Sequence, residues 1–346
     1  MRVGIIAPAW LPVPAPAYGG TEAVLDTLAT GLQAAGHSVL LVCHPDSTCP
    51  VPKASVVPAE DTTRMGRAAI ELEHAIGAYE RVRDCDVVHD HTLAGPVYCA
   101  RFPDLPVVAT NHMPFTRTRN AIFGAAAPHV AVVAISHAHA ATAPFALAGV
   151  VHHGVDVDDF PFGRDPSASV CVLSRMAPDK GIDHAIDIAR EAGMGLRIAA
   201  KMREQHEREY FEAVIQPKLG GDVVYLGELD ATDKRLLLAD SAALLNPIMW
   251  PEPFGMAMVE ALACGTPVVG CAVGAAPEIV EHGVTGFLGR SDDDLVAGLE
   301  QLSSIDRGAC RRRVEEHFSA ERMVAGYTAI YEARRSRSAQ AAAGSR

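Results

Sequence analysis

Positive charge is the first shortage in this sequence: 30 lysines and arginines stand against 42 aspartates and glutamates, a formal net charge of −12. Nucleic acid and anionic membrane both reward basic surfaces, so neither is expected as a general partner. An anionic ligand is still allowed, because a local basic pocket can oppose the global sign. No run approaches the ~20 apolar residues that a membrane span needs. The opening MRVGIIAPAW has one arginine and an apolar run broken at Pro8, too short for a signal peptide and better read as a first strand. The eight cysteines form no CxxC pair, which points to reduced thiols and a cytoplasmic protein. The fingerprint GxGxxG is missing too, so bound NAD is not expected.

What is present suffices for two domains. The chain has 346 residues, 49% of them hydrophobic and 21% charged, enough for a substantial core in a soluble protein. Arg2 to Ala7 reads as a strand, and a proline-rich loop leads to Tyr18-Gly19-Gly20-Thr21-Glu22. Val24, Leu25, Leu28 and Leu32 then keep helical spacing until Gly36, and Ser38 to Cys43 is the next strand. Gly19 and Gly20 allow close backbone approach to a ligand, and Thr21 is placed to cap the helix. A helix over about 64–83 precedes the strand Asp86 to His89, followed by Asp90-His91-Thr92. Ligands of open parallel sheets gather beyond the carboxyl ends of strands, where Asp90 and His91 would project. His89 and His91 could also form a metal pair on one strand face, but no third ligand cluster is nearby, and His89 reads better as a core histidine. Pro106 to Asn111 and Val130 to Ile135 repeat the strand pattern, with Ser136 as the cap of the next helix. Thr110, Asn111, His112 and Arg117 could line an acceptor pocket or be ordinary loop chemistry.

Residues 153–168, rich in Asp, Pro and Gly, read as a linker. The second domain opens with the strand Val170 to Ser174 and the loop Arg175-Met176-Ala177-Pro178-Asp179-Lys180-Gly181. Two cations five residues apart at a strand-to-helix loop can grip a diphosphate, Arg in a planar fork and Lys as a point charge. Strands near 196–200 and 223–226 follow, with Gly227-Glu228-Leu229 at the end of the latter. Lys201 and Arg203 add cations that either help hold a ligand or stay solvated.

The richest stretch is WPEPFGMAMVEALACGTPVV, 250–269. Pro251 and Pro253 place Glu252 on a loop, and Gly255 to Cys264 forms a helix stopped by Gly265 and Pro267. The first amides of that helix, near Gly255 and Met256, make a ready phosphate site. Glu252 stands before that site and Glu260 about a turn and a half beyond it, suiting a ligand with hydroxyls on both sides of a phosphate. Both acids could instead be solvated helix-terminal groups. Asp292-Asp293-Asp294 contains a DxD but precedes Leu295, Val296 and Leu299 at helical spacing, so it is read as an acidic helix start and no metal role is assigned. A last helix from about Ala320 to Arg334 presents Met323, Tyr327, Ile330 and Tyr331 on one side, and the tail 336–346 reads as disordered.

EPFG with a glutamate eight residues after the first, then ALACGTPVV, resembles the signature of the retaining glycosyltransferases of family 4. SRMAPDKG resembles the family's GR…KG element, and His153-Gly154-Val155-Asp156 with Phe160 resembles its NGVD…F link, with His where Asn is usual. The resemblance implies an α/β protein of the GT-B fold, two Rossmann-like doubly wound domains facing across a cleft. It places an N-terminal acceptor domain at 1–152, a nucleotide-sugar donor domain at 153–318, and a final helix (319–335) returning to the first domain. The implied reaction moves a sugar from a nucleoside-diphosphate sugar, UDP- or GDP-linked, to a hydroxyl of a small-molecule or glycan acceptor, with retention and without a metal or separate cofactor. It assigns His91, Glu252, Arg175 and Lys180 to catalysis. Gly19, Gly20, Phe254, Gly255, Met256, Glu260, Gly227 and Leu229 go to donor binding, and Asn111, His112 and Arg117 to the acceptor. A sugar-nucleotide epimerase or hydrolase on the same fold, or a non-catalytic nucleotide-sugar-binding subunit, are the alternatives.

Overall fold

The apolar runs of both halves become strands buried on two faces, as parallel sheets covered by helices require. The computed structural model describes residues 1–59 and 64–344. In the first half the strands are β1 (Arg2–Ile6), β2 (Ser38–Val42), β3 (Lys53–Ala54), β4 (Val87–Asp90), β5 (Val107–Thr110), β6 (Ala131–Ala134) and β7 (Gly149–Val150). In the second they are β8 (Val170–Arg175), β9 (Leu196–Lys201), β10 (Val223–Gly227), β11 (Leu244–Asn246), β12 (Val268–Cys271) and β13 (Gly286–Gly289). They form two sheets in the orders β3-β2-β1-β4-β5-β6-β7 and β10-β9-β8-β11-β12-β13, with parallel pairing between neighbouring strands. Each sheet reverses its direction of growth once, between β1 and β4 and between β8 and β11. Those reversals are where open α/β sheets hold ligands.

The connections are α1 (Gly20–Ala34), α2 (Ala68–Val82), α3 (Gly95–Tyr98), α4 (Arg117–Ala126) and α5 (His137–Ala140) in the first half. The second half has α6 (Ile182–Glu191), α7 (Gln205–Tyr210), α8 (Ala231–Ala239), α9 (Met256–Ala263), α10 (Ala276–Ile279), α11 (Asp292–Glu300) and α12 (Arg307–His317). A long α13 (Ala320–Gly344) closes the chain. The chain divides into Met1–Gly154 together with α13, and Val155–Ser319. Within the first unit α13 lies on α1, where a Cβ on Gly31 would come 2.7 Å from Val324 Cγ2. Its Tyr327 and Tyr331 are fully buried.

Two details differ from the sequence reading and one agrees with it. Gly19, not Thr21, is the residue before α1, and Thr21 lies inside the helix. Ser136 does cap α5, accepting from the His139 amide at 2.9 Å. The tail read as disordered at 336–346 continues α13 as far as Gly344, in keeping with its Ala, Arg and Gln, all good helix formers. Residues 345–346 lie outside the described residues.

Candidate functional site

In the second unit, β8 ends at Arg175 and runs into a 3-10 turn, Pro178–Lys180. Gly181 follows with φ +65, and a Cβ there would sit 2.5 Å from the Pro247 carbonyl oxygen. Only glycine lets this turn lie against the chain leaving β11. Lys180 is thereby carried inward, 7% exposed, with Nζ 2.5 Å from Glu252 Oε1 and 5.2 Å from the centre of the Trp250 ring. A buried ammonium needs such a partner, and an aromatic face adds to it. Arg175 turns elsewhere, its Nη2 3.2 Å from Asp179 Oδ2 within its own turn. The two expected clamp cations are thus each paired with an acid.

Gly255 precedes α9 with φ +106, and a Cβ on it would come 2.4 Å from Met258 Cε and 3.2 Å from Glu252 Oε2. The Glu252 carboxylate therefore rests beside the positive end of α9 while its other oxygen holds Lys180. Its backbone is gripped from the loop after β12. The Ala275 amide donates to the Glu252 carbonyl at 3.1 Å, and Gly274, at φ +57, would drive a Cβ to 2.5 Å from that oxygen. On the buried face of α9, Glu260 accepts from Lys234 Nζ of α8 at 2.7 Å. Sequence reasoning missed Lys234 and the role of Gly274.

The remaining donor-side residues are less uniform. The Phe254 ring is buried, edge-on to Phe318 with centroids 6.1 Å apart. Met256 opens α9 and is partly exposed. Gly227 ends β10 with φ +81 and open space where a side chain would go, and Leu229 beside it is partly buried. The cations between β9 and α7 are not merely solvated. Arg203 holds Glu228 bidentately at 3.0 and 2.6 Å, and Lys201 lies 3.1 Å from the fully buried Glu207.

In the first unit the reversal between β1 and β4 presents the loop to Gly19 and the end of β4. A Cβ on Gly19 would strike Ala15 Cβ at 2.3 Å and Glu22 Oε2 at 2.9 Å, so the loop closes tightly on α1. Gly20 is the first residue of α1. Glu22, in the first turn of that helix, is buried, and burial raises its pKa to about 7. It was not singled out from sequence, although it lies two residues after the paired glycines. Asp90 does not project, contrary to expectation. It is fully buried and accepts from the Thr92 amide, the Thr92 hydroxyl and the Tyr79 hydroxyl, each at 2.8 Å. Burial raises its pKa to about 6 against these hydrogen bonds.

His91 is the group that remains at the end of β4. It is buried, its amide donates to the Ile6 carbonyl, and its Nδ1 lies 2.8 Å from His112 Nε2. Among the described residues its Nε2 has no hydrogen-bond partner. His112 Nδ1 in turn lies 3.2 Å from Nε2 of the buried His153. Loss of hydration drives His91 and His153 well below the usual imidazole range and His112 to about 3, so all three are neutral near pH 7. His89 is a core residue, fully buried, with Nδ1 2.7 Å from the Tyr331 hydroxyl and Nε2 2.8 Å from that of Thr110. Both nitrogens are occupied, which leaves neither for an ion.

Of the acceptor candidates, Asn111 is tied into its own loop. Its side chain donates to the Met113 carbonyl at 2.6 Å and accepts from the Met113 amide at 3.3 Å. Arg117 is exposed as the first residue of α4. His112 belongs to the histidine series just described. Asp292, Asp293 and Asp294 form the first turn of α11, capped by Ser291. All eight cysteines are free and buried. No helix among the described residues is long and apolar enough to cross a membrane.

Comparison with known proteins follows the same division. The family described as Glycosyltransferase Family 4 matches residues 18–159, and that described as Glycosyl transferases group 1 matches residues 159–317. An N-acetyl-alpha-D-glucosaminyl L-malate synthase of Bacillus anthracis is 34% identical over 32% of this chain and 30% of its own length. An MMP alpha-(1->4)-mannosyltransferase of Mycolicibacterium hassiacum is 29% identical over 72% of this chain and 71% of its own. Among solved structures, HepE of Anabaena in complex with UDP and glucose superposes with a TM-score of 0.76 at 19% identity, covering 96% of this chain and all of that one.

Proposed function

This chain belongs to the family 4 glycosyltransferases of GT-B fold, and from that premise we propose that it transfers a sugar from a UDP- or GDP-linked donor to a hydroxyl of a small acceptor, with retention at the anomeric carbon. The observation that carries the reading is the pairing of buried Lys180 with partly buried Glu252 beside the N-terminus of α9, at the reversal of the second sheet. A diphosphate reaching this place meets an ammonium and the first amides of α9, the two charge types that stabilise a departing phosphate. Arg175 adds a third positive group once it leaves Asp179. Glu252 takes sugar hydroxyls and Glu260 takes the ribose diol; in the first unit the unpartnered Nε2 of His91 is a hydrogen-bonding point for a sugar hydroxyl. HepE, of the same fold, was solved with UDP and glucose, which supports a nucleotide sugar as donor.

No carboxylate is assigned as a covalent nucleophile, and the step is written as a front-face displacement. The acceptor oxygen bonds to the anomeric carbon, the bond from that carbon to the β-phosphate oxygen breaks, and the acceptor proton passes to that phosphate oxygen. The protein supplies charge against the diphosphate rather than a proton carrier. Lys180→Ala and Glu252→Ala should each lower kcat/KM on the order of 10²-fold or more, while circular dichroism shows the fold retained. Near-normal turnover in both variants defeats the assignment. Following the donor alone by NMR separates this reading from an epimerase or hydrolase, which would convert it without an acceptor.

A further inference from the structure

The three imidazoles of His91, His112 and His153 are linked nitrogen to nitrogen, and that linkage constrains them jointly. A neutral imidazole has one N–H donor and one bare nitrogen acceptor. Hydrogen bonds join His91 Nδ1 to His112 Nε2 and His112 Nδ1 to His153 Nε2. Only two arrangements of three neutral rings satisfy both. In one, every ring carries its proton on Nδ1, and His91 offers the ligand a bare Nε2, an acceptor. In the other, every ring carries its proton on Nε2, and His91 offers an N–H, a donor. Any mixed pattern sets two N–H groups, or two lone pairs, against each other inside the protein, at the cost of a buried unmade bond. The ring centres are 5.1 Å apart at both links, with planes inclined by 31° and 23°. His91 and His153 are buried and His112 partly so, and the three come from the end of β4, the end of β5 and the start of the linker.

We infer that His112 and His153 are positioning residues that set the tautomer of His91 as one unit, deciding whether its Nε2 meets the sugar as hydrogen-bond donor or acceptor. The inference rests on His91 facing the donor sugar, as proposed above. Its own basis is the linkage, and the buried unpartnered Nε2 at one end is the atom through which the setting is expressed. A sugar hydroxyl can donate or accept, so a ligand that prefers one sense at His91 selects the same tautomer two rings away. His153 thus reports on a hydroxyl it never touches.

Long-range ¹H–¹⁵N spectra of the histidine-labelled full chain distinguish Nδ1–H from Nε2–H rings directly, with no nucleotide present. The expected result is one shared tautomer for His91, His112 and His153. His153→Phe, which keeps a ring but no nitrogen, should release His91 to a mixture. It should also weaken binding of UDP-glucose or GDP-mannose, whichever the wild type binds, by roughly three- to tenfold, the scale of one neutral hydrogen bond. His153→Asn, which gives His112 a polar partner again, should recover most of that affinity. Mixed tautomers in the wild type overturn the inference, as does an unchanged His91 spectrum in His153→Phe. The wild-type spectrum decides even where a variant fails to fold. If the three rings share a tautomer but neither nucleotide sugar perturbs His91, the sugar assignment fails and the use given to the linkage fails with it. If a nucleotide sugar perturbs His91 while the rings differ, the functional reading stands and the linkage falls.

Discussion

The two units share a strand order but treat their buried polar groups in opposite ways. The first holds neutral rings: His89, His91, His112, His139 and His153 all have pKa values depressed chiefly by burial. The second holds ion pairs, Lys180 with Glu252, Lys234 with Glu260 and Lys201 with Glu207. Neutral rings read a ligand by hydrogen-bond direction, whereas ion pairs read it by charge. In the reading proposed here, a sugar hydroxyl calls for the first kind of recognition and a diphosphate for the second.

The comparison breaks most visibly at Lys180. In a double-mutant cycle, Lys180→Met alone strands the Glu252 carboxylate and should cost about 3–5 kcal/mol in denaturant unfolding, with Lys180→Met/Glu252→Gln recovering a large part. If the single variant costs under about 0.5 kcal/mol, the pair behaves as a surface contact and the contrast between the units is lost.

A smaller effect is expected from pH, and it belongs to the first unit. A histidine whose folded pKa lies below its unfolded value leaves stability intact above about pH 6.5 and erodes it as the pH falls, because the unfolded chain then binds more protons. His139 and His112, at about 4 and about 3, define windows from about pH 6.5 down to about 4 and about 3 respectively. Glu22 and Asp90 act in the other sense. Their raised values, about 7 and about 6, mean that acidification relieves a cost of ionising them. Five rings outweigh two acids, so lowering the pH from 6.5 to 5.5 should remove on the order of 2–3 kcal/mol. His112→Gln should flatten that slope by about 1 kcal/mol per pH unit. A thermal midpoint that rises over this interval would contradict the picture. The smallest effect sharpens the comparison within the second unit: Lys234→Met should raise the donor KM about fivefold through a loosened Glu260, with kcat little changed.

Much of this was legible from sequence because it is local. Alternation of apolar runs with glycine and proline stops placed β8, α9 and β12, and the prolines around Glu252 fixed it on a loop. The proximity of Lys180 to Glu252 was not legible, since 72 residues separate them and the sheet reversal brings them together. Asn111 looked like a pocket residue because a polar group after a strand has the same pattern whether it meets a ligand or ties its own loop. Asp90 was misplaced for a similar reason. One residue decides which side chain turns outward at a strand end, and here Gly95 makes room for the aspartate inside: a Cβ there would sit 2.0 Å from Asp90 Oδ2. Lys234 gave no signal at all, being an ordinary lysine early in the short helix α8. The tail at 336–346 reads as disordered from sequence because it lacks large apolar residues, yet its Ala, Arg and Gln favour the helix that α13 continues.

The grip of Gly274 and Ala275 on the Glu252 backbone bears on portability. Residues 250–256 look like a self-contained cassette, and an engineer swapping substrate preference between relatives would cut there. Transplanted alone, that segment would arrive without the clasp that orients its acid, and a recipient with any side chain at the 274 position would push it aside. The transferable module is two stretches of chain separated by a helix and a strand, and they have to travel together.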